Sequence, residues 1–290
     1  MNIIFQVDGG LGKSIASTAV IAAIKNHYKK SKIIVVTAYP DVFLNNPNVH
    51  KTYYSNQTNG FYTKYIKGKD CKVFACEPYT HNNFLLSNEH LFRTWCKLCG
   101  VPYKGEKPEF YLTQAELDYF TPFYSSEKPI FVFQSNGGPE GQGYQYSWTR
   151  DIPTSTMTDI INHYKNDYTL IHIRRKDQFQ YENTLSALDG YRSIAVLLAL
   201  SSKRLLIDSF AQHLAAALNL TSVVCWSTTD PKVFGYKTHT NILANKFTKS
   251  PHLDQAIYQP FNLYQDIHTL PYNNINEIFD SSKIIEALGK

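Results

Sequence analysis

The segment of residues 2–14 reads NIIFQVDGGLGKS, and it decides the fold of this 290-residue chain. Asn2–Val7 is a short apolar run that glycines close, which predicts a buried strand entering a turn. Residues 13–28 then carry apolar side chains at helical spacing, and the apolar run Ile33–Thr37 follows them. A strand, a helix and a second strand in this order require a parallel sheet with a right-handed crossover.

The same alternation continues along the chain. The first half has a further predicted strand at Val73–Ala75 and a helix at Asn88–Leu98. In the second half the pattern predicts strands at Ile130–Gln134, Thr169–Ile173, Leu205–Ile207 and Ser222–Trp226, with helices at Thr154–Tyr164, Tyr191–Leu200 and 209–218. We therefore expect an α/β fold of doubly wound parallel sheets, in which ligands bind at the carboxyl ends of the strands.

Length and composition place a domain boundary near the middle of the chain. A chain of this length has room for two domains of roughly 150 residues each. Between Pro102 and Pro129 the composition shifts to Pro, Lys, Glu and Tyr. We expect one domain over residues 1–125 and a second over residues 126–290, the latter ending in a C-terminal helix.

The composition excludes several classes of protein. With 43% hydrophobic and 18% charged residues the chain is not disordered. Its apolar runs, such as Ile194–Leu200, fall short of the roughly 20 residues of a membrane helix. The sequence carries no signal-peptide pattern, and its five cysteines form an odd set. We expect free thiols in a cytoplasmic protein without a transmembrane segment.

The charge of the chain is unevenly distributed. Residues 1–125 hold 14 Lys and Arg against 9 Asp and Glu, whereas residues 126–290 hold 15 of each. The excess predicts that the first half meets an anionic partner, with a solvated lysine-rich surface as the alternative. Lysines and tyrosines interleave over residues 51–69, a mixture that suits bases or sugars or else forms the edge of a core. Lys51 and Lys64 are candidate acceptor-binding residues in this stretch.

The first glycine turn, residues 8–14, is a candidate phosphate-binding loop. Glycines allow backbone amides to face an anion at the start of a helix. The standard G-x-x-x-x-G-K-S pattern fails because its first glycine is Val7. The loop does resemble the K-G-G-x-G-K-[ST] variant of the partition and septum-site ATPases, with Asp8 in place of the leading lysine. A ParA/MinD-like ATPase is therefore one alternative, with Asp208 as an approximate fit to its magnesium-binding aspartate.

A second motif lies at residues 206–218, which read LIDSFAQHLAAAL. A predicted strand ends at Asp208, and Asp208 or Ser209 can cap the following helix, which leaves free amides for an anionic ligand. With the strand near 222–226 and the turn Thr229-Asp230-Pro231, this resembles the heptosyltransferase-like glycosyltransferases, the ADP-heptose:lipopolysaccharide heptosyltransferase superfamily. Their pattern is D-[ST]-G-x-x-H-L-A-A-A-L, a strand and T-D-P. The opening of the chain, with Asn46-Pro47-Asn48-Val49, is similar to the same family.

The resemblance covers most of residues 1–235 and implies a GT-B enzyme. In this fold two Rossmann-like domains face each other across a cleft, the first holding the acceptor and the second a nucleotide-diphosphate sugar. The implied donor-binding residues are Ser135, Asn136, Gly137, Gly138, Arg150, Arg174, Lys176, Asp177, Asp208, Ser209, Gln212 and His213. The sequence departs from the family at two positions. Lys13 stands where the family has the aspartate that follows glycine, and Phe210 stands where the family has glycine.

Two residues of the first glycine turn are candidate catalytic groups. Asp8 is the only carboxylate in the turn and is our predicted base, with a helix cap as the alternative. Lys13 would neutralise phosphate charge or point to solvent. Gly9, Gly10 and Gly12 would line the acceptor site.

We expect no metal cofactor. The sequence has no Asp-x-Asp motif, by which a metal bridges the donor phosphates in the other major transferase fold. Cys71, Cys76, Cys96 and Cys99 have a spacing similar to that of a zinc site. Cys71 and Cys76 flank a predicted strand, however, where their side chains would lie on opposite faces. Cations and backbone amides would then neutralise the phosphates.

The predicted function is metal-independent, inverting transfer of a sugar from a nucleotide-diphosphate donor to a hydroxyl of an anionic acceptor. Two acceptors fit: a phosphorylated saccharide, as in lipopolysaccharide synthesis, or a hydroxymethylated base in duplex DNA, as modified by bacteriophage sugar transferases of the same fold. The ParA/MinD-like ATPase and a non-catalytic sugar-nucleotide binder are the alternatives.

Overall fold

The computed structural model describes residues 1–86, 88–137, 150–227, 229–245 and 274–289. The chain divides into two units, Met1–Tyr111 with Ala216–Leu218, and Leu112–Ala215 with Asn219–Lys290. The change of unit at Tyr111 comes earlier than the boundary expected at 125/126. The segment from 112 belongs to the second unit because its helix packs on a helix there, with an ion pair between Glu116 and Arg192.

The first unit is built on a parallel four-stranded sheet in the order β3-β2-β1-β4. Its strands are β1 (Asn2–Val7), β2 (Lys32–Thr37), β3 (Lys51–Tyr54) and β4 (Cys71–Phe74). Its helices are α1 (Leu11–His27), α2 (Phe61–Tyr65), α3 (Asn82–Leu85) and α4 (Leu91–Leu98), with 3₁₀ turns at Pro40–Phe43 and Pro78–Thr80. Helix α1 is buried on all sides from Lys13 to Ile24, which explains why its apolar residues do not form a single stripe.

The second unit is built on a parallel six-stranded sheet in the order β10-β9-β8-β5-β6-β7. Its strands are β5 (Ile130–Phe133), β6 (Thr169–His172), β7 (Leu185–Ser186), β8 (Lys203–Ile207), β9 (Val223–Trp226) and β10 (Thr240–Leu243). Its helices are α5 (Gln114–Phe120), α6 (Thr154–Tyr164), α7 (Tyr191–Leu200), α8 (Phe210–Ala217), α9 (Pro231–Phe234) and α10 (Ser281–Gly289), with 3₁₀ turns at Thr121–Tyr124 and Ile275–Glu277. The predicted α/β class with two parallel sheets is confirmed.

Burial explains the continuous apolar character of the central strands. Every residue of β5 and β9 is buried, so neither face of these strands meets solvent. Phe131 and Phe133 of β5 form the centre of the core of the second unit, together with residues of α6 and α10. Among the residues that the structure describes, no helix has the length and apolar character needed to cross a membrane.

Each sheet has one switch point, where the chain changes the side on which it adds strands. In the first sheet β2 and β3 lie on one side of β1, and β4 lies on the other. In the second sheet β6 and β7 lie on one side of β5, and β8, β9 and β10 lie on the other. Ligands of doubly wound sheets bind beyond the carboxyl ends of the strands at such points. The candidate sites are therefore the ends of β1 and β4 and the ends of β5 and β8.

Candidate functional site

A cavity of about 620 Å³ opens in the second unit at the carboxyl ends of β5, β6 and β8. It lies at the β5/β8 switch point, where the topology predicts a ligand. Its walls come from the loops that follow the three strands and from the segment that leads into α7. The lining residues are Gln134, Asn136, Gly137, Ile173, Arg174, Arg175, Lys176, Asp177, Gln178, Ala187, Leu188, Asp189, Gly190, Ile194, Ser209 and Phe210.

The loop after β5 is held in shape by a buried carboxylate. Asp151 accepts hydrogen bonds from Asn136 Nδ2 at 3.0 Å and from the Gly137 N–H at 2.8 Å. Ser135 Oγ donates to Asn136 Oδ1 at 2.7 Å. A Cβ on Gly137 would lie 2.5 Å from Arg150 Cδ, so any larger residue would require the Arg150 side chain to shift. The Gly137 amide donates to Asp151 within the protein, although Gly137 was predicted as a donor-binding residue.

A neutral histidine contacts the loop after β5. His172, the last residue of β6, lies 3.0 Å from Ser135 Oγ through Nε2, and its ring stacks on Phe133 with 4.4 Å between centroids. Burial, and then the charge of Arg174, lower the pKa of His172 to about 3. The imidazole is therefore uncharged at neutral pH. The sequence analysis did not identify this residue, since its role depends on contacts across the sheet.

The loop after β6 is folded around Arg174. Its guanidinium donates from Nε and Nη2 to the Gln178 carbonyl, at 3.2 and 2.6 Å. Nη2 also donates to the Lys176 carbonyl at 3.1 Å, and Nη1 to Ser186 Oγ at 3.2 Å. Arg174 thus closes the loop and presents the residues between itself and Gln178 to the cavity.

Two charged groups of this loop form a local pair, and a third is exposed. Arg175 Nε lies 3.1 Å from Asp177 Oδ1, and this hydrogen bond lowers the pKa of Asp177. The Lys176 side chain is exposed at the cavity wall. Lys176 is therefore the cation of the loop best placed to meet a bound anion.

The third loop joins β8 to α8, and it is hydrogen-bonded to the loop after β5. Gln134 Nε2 donates to Ser209 Oγ at 3.2 Å and to the Asn136 carbonyl at 3.2 Å, so one amide bridges both loops. Asp208 accepts from Thr229 Oγ1 at 2.6 Å. Burial raises the pKa of Asp208, while the charge of Arg150 and the Thr229 hydrogen bond oppose this effect.

Two of the predicted donor-binding residues lie away from the cavity. Gln212 and His213 lie in α8 and are buried. His213 Nδ1 lies 2.7 Å from the Tyr236 hydroxyl, and Gln212 Nε2 donates to the Phe234 carbonyl at 3.3 Å. Both side chains therefore contact each other and residues 234–236, at the end of α9 and just after it.

The structure thus brings together half of the predicted donor-binding residues in one cavity. Those that line it are Asn136, Gly137, Arg174, Lys176, Asp177 and Ser209. Ser135, Arg150 and Asp208 lie next to lining residues, and Gly138 lies outside the described residues. Gln134, Gln178 and Asp189 line the cavity without having been predicted. Gln134 ends a predicted strand and Asp189 lies two residues before a predicted helix, which was the available signal for these two, whereas Gln178 carries no such signal.

In the first unit, Asp8 and the glycines lie at the end of β1. Asp8 is exposed and accepts a hydrogen bond from Gln6 Nε2 at 2.8 Å. It does not cap α1, because Gly10 is the N-cap residue and no side chain caps this helix. Gly9 has a φ of 102°, in the left-handed region, and a Cβ there would lie 3.2 Å from Lys13 Cδ. Gly12 lies in the first turn of α1.

Lys13 neither points to solvent nor is free to meet a phosphate, contrary to both expectations. Its side chain is 6% exposed, and its Nζ lies 2.5 Å from Glu77 Oε2. The ammonium also lies 4.9 Å from the centroid of the Tyr79 ring and 5.7 Å from that of Trp95. Glu77 and Trp95 are distant in sequence, so the spacing of residues around Lys13 could not reveal this environment.

The lysine and tyrosine stretch divides between core and surface. Phe61 and Tyr65 are buried and pack with Tyr53, whose hydroxyl lies 2.9 Å from that of Tyr65. Lys51 and Lys64 are exposed, and Lys64 Nζ lies 5.2 Å from the Tyr65 ring centroid. A hydrogen bond with Tyr65 raises the pKa of Lys64. Two further tyrosines are exposed to solvent, Tyr54 with 45% and Tyr62 with 63% of its surface accessible.

The cysteines do not form a metal centre in the described ranges. Within these ranges no three His, Cys, Asp or Glu side chains lie close enough together to share a metal ion. Cys96 is buried in α4, and burial raises the pKa of its thiol to about 12.

Comparison with known proteins bears on the fold. No protein-family model matches the sequence, and no curated protein sequence matches it. Several solved structures are similar over most of the chain. Among them are a glycosyl transferase family 9 protein from Veillonella parvula (12% identity, 99% of this chain and 95% of that chain, TM-score 0.70), ADP-heptose lipopolysaccharide heptosyltransferase II from E. coli (13%, 90% and 98%, 0.60) and the E. coli heptosyltransferase WaaC with ADP (11%, 90% and 99%, 0.58).

These likenesses agree with the two parallel sheets and their order along the chain. The motif at residues 206–218 and the opening of the chain resemble the same group of proteins. The chain therefore has the fold that glycosyltransferase family 9 and heptosyltransferase structures share.

Proposed function

We propose that this protein is a glycosyltransferase whose second unit binds a nucleotide-diphosphate sugar. The observation that carries the proposal is the cavity at the β5/β8 switch point, which is walled by a preformed cationic loop and by the start of a helix. The fold supports the same function, because ADP is bound to the similar WaaC structure, and ADP-D-β-D-heptose is bound to the heptosyltransferase TibC, a further similar structure (11% identity, 99% of this chain and 75% of that chain, TM-score 0.69). The cavity volume of about 620 Å³ is in the range of small-molecule sites.

The donor diphosphate would lie between Lys176 and the start of α8. Helix α8 begins at Phe210 beside the cavity, and the first amides of a helix have no partner within it. Their dipoles and the Lys176 ammonium both favour negative charge. Asn136 and Ser209 offer uncharged hydrogen-bonding groups to the sugar or the phosphates. This arrangement would stabilise the departing nucleoside diphosphate without a metal ion.

The acceptor would bind to the first unit, which carries the net positive charge. Two classes remain: a phosphorylated saccharide and hydroxymethylated duplex DNA. The exposed Tyr54 and Tyr62 rings and the exposed Lys51 and Lys64 suit either acceptor, since cations attract phosphate and accessible rings stack on sugars or on unpaired bases. DNA binding should weaken steeply with salt, and the binding of a small saccharide should not.

The surroundings of Lys13 argue against the ATPase alternative. In a phosphate-binding loop the lysine must reach the β- and γ-phosphates. Here its ammonium is buried against Glu77, a carboxylate that would repel a triphosphate. A non-catalytic sugar-nucleotide binder would use the same cavity and differs only in failing to consume the donor.

Thermal unfolding with a panel of nucleotide-diphosphate sugars tests the proposal. UDP-, ADP- and GDP-linked sugars, including ADP-heptose, are compared with ATP, each with and without magnesium. We expect one class of nucleotide sugar to raise Tm equally with EDTA and with magnesium, since a ligand that binds only the native state stabilises it. A rise with ATP and magnesium alone would contradict the proposal and support the ATPase.

A further inference from the structure

Two carboxylates follow the two strands at the switch point of the first sheet. Phe5 of β1 pairs with Phe74 of β4, and Asp8 and Glu77 each follow three residues later. Both carboxylates therefore follow adjacent strands of the sheet. Asp8 is the base predicted from the sequence, and no sequence motif marks Glu77.

The two carboxylates differ in how they are held. The described hydrogen bond of Asp8 is with the side chain of Gln6, and it lies in solvent. Glu77 is bound at both oxygens: Oε2 pairs with Lys13 Nζ at 2.5 Å, and Oε1 accepts from the Tyr79 N–H at 3.2 Å. Its side chain nevertheless remains 44% exposed. Glu77 is thus both fixed in position and accessible to a substrate, as a group that takes part in a reaction must be.

The burial of Lys13 supports a role for this pair beyond folding. The ammonium lies against the Tyr79 and Trp95 rings, and the Lys13 chain passes close to Gly9. Removing a charge from water costs several kcal/mol, so a well-packed apolar pair would stabilise a fold at least as well. An ion pair with one buried and one exposed partner is instead suited to holding the exposed carboxylate in one orientation.

Resting on the transferase function proposed above, we propose that Glu77 is the proton acceptor of the transfer and that Lys13 is its positioning residue. The acceptor hydroxyl oxygen forms a bond to the anomeric carbon, and the bond from that carbon to the diphosphate oxygen breaks. The departing diphosphate keeps the electron pair, and the hydroxyl proton passes to a Glu77 oxygen. The hydroxyl becomes strongly acidic as its bond to carbon forms, so an ionised carboxylate is a sufficient base.

The test measures the release of nucleoside diphosphate from the nucleotide sugar that binds best, with water as the acceptor. Glu77→Gln should lower kcat by about 10²-fold or more, because general-base catalysis contributes about that much. The Kd of the donor should not change. Glu89→Gln is the matched control, since Glu89 forms an ion pair with Lys97 at 2.7 Å in the same unit, and it should keep wild-type kcat.

A double variant separates catalysis from folding. Glu77→Gln alone leaves the Lys13 ammonium buried and unpaired, which lowers stability. Adding Lys13→Met removes both charges and should restore Tm. We expect this double variant to stay inactive. In Glu77→Ala, added formate should restore the release of nucleoside diphosphate, because it replaces the missing carboxylate.

Four results would overturn the proposal while leaving the donor site intact: wild-type kcat in Glu77→Gln, recovery of kcat in the double variant, loss of kcat only in Asp8→Asn, or no release by wild-type protein with donor bound. Failure of every nucleotide sugar to bind would instead overturn the proposed function, and this inference with it.

Discussion

Replacement of Arg174 by lysine tests how the cationic loop is held. The guanidinium donates to the carbonyls of Lys176 and Gln178 and to the hydroxyl of Ser186. Lysine keeps the charge but has no planar fork of donors, so it can retain only part of this set. Hydrogen bonds to a charged group contribute about 1.5–3 kcal/mol, less where solvent reaches them, so we expect a loss of about 1–2 kcal/mol.

Losing these hydrogen bonds makes the loop less ordered, and a less ordered loop binds the donor more weakly. Calorimetric titration in EDTA should show that Arg174→Lys binds the preferred nucleotide sugar about 5- to 30-fold more weakly than wild type. Arg175→Lys is the matched comparison, because Arg175 pairs with Asp177 in solvent and such pairs contribute at most about 1 kcal/mol, or fivefold. Equal affinity in Arg174→Lys and wild type would refute the role of Arg174 in shaping the site.

Three further substitutions have expected outcomes. Lys176→Gln should weaken binding of the nucleoside diphosphate about 10-fold in titrations but leave binding of the nucleoside unchanged, because only the phosphates meet the ammonium. Gly137→Ala should lower Tm and donor affinity together, since its Cβ would overlap Arg150. His172 has a pKa of about 3 in the folded state and 6.5 otherwise, so its contribution to stability is complete above pH 6.5 and falls by about 1.4 kcal/mol per pH unit below it. The free energy of unfolding of His172→Asn, measured in denaturant, should change less between pH 6.5 and 4 than that of the wild type.

Much of the fold could be predicted because the central strands have a strong local signal. Strands such as Asn2–Val7 and Val223–Trp226 are buried on both faces and read as continuous apolar runs. Three edge strands were missed. Lys51–Tyr54, Leu185–Ser186 and Thr240–Leu243 are partly or fully exposed, and no apolar run or alternation marks them. The edge strand Cys71–Phe74 was predicted, at Val73–Ala75.

The candidate site could be predicted only in part, for a physical reason. The ends of strands are readable in a sequence, which is why Asn136, Arg174 and Ser209 were identified. The partners that orient them come from distant segments. Asp151 reaches back to the loop after β5, and Glu77 reaches Lys13 of α1 from the segment after β4. Contacts of this kind depend on the packing of the whole sheet, and no local spacing encodes them.

Hydrogen–deuterium exchange with and without the preferred nucleotide sugar tests the central claim most directly. Binding in the second unit predicts slower exchange of backbone amides in residues 134–137, 173–178 and the first turn of α8. Residues 8–14 should not change when the donor alone is present. Protection confined to residues 8–14, or none in the three loops at saturating donor, would contradict a donor site at the β5/β8 switch point.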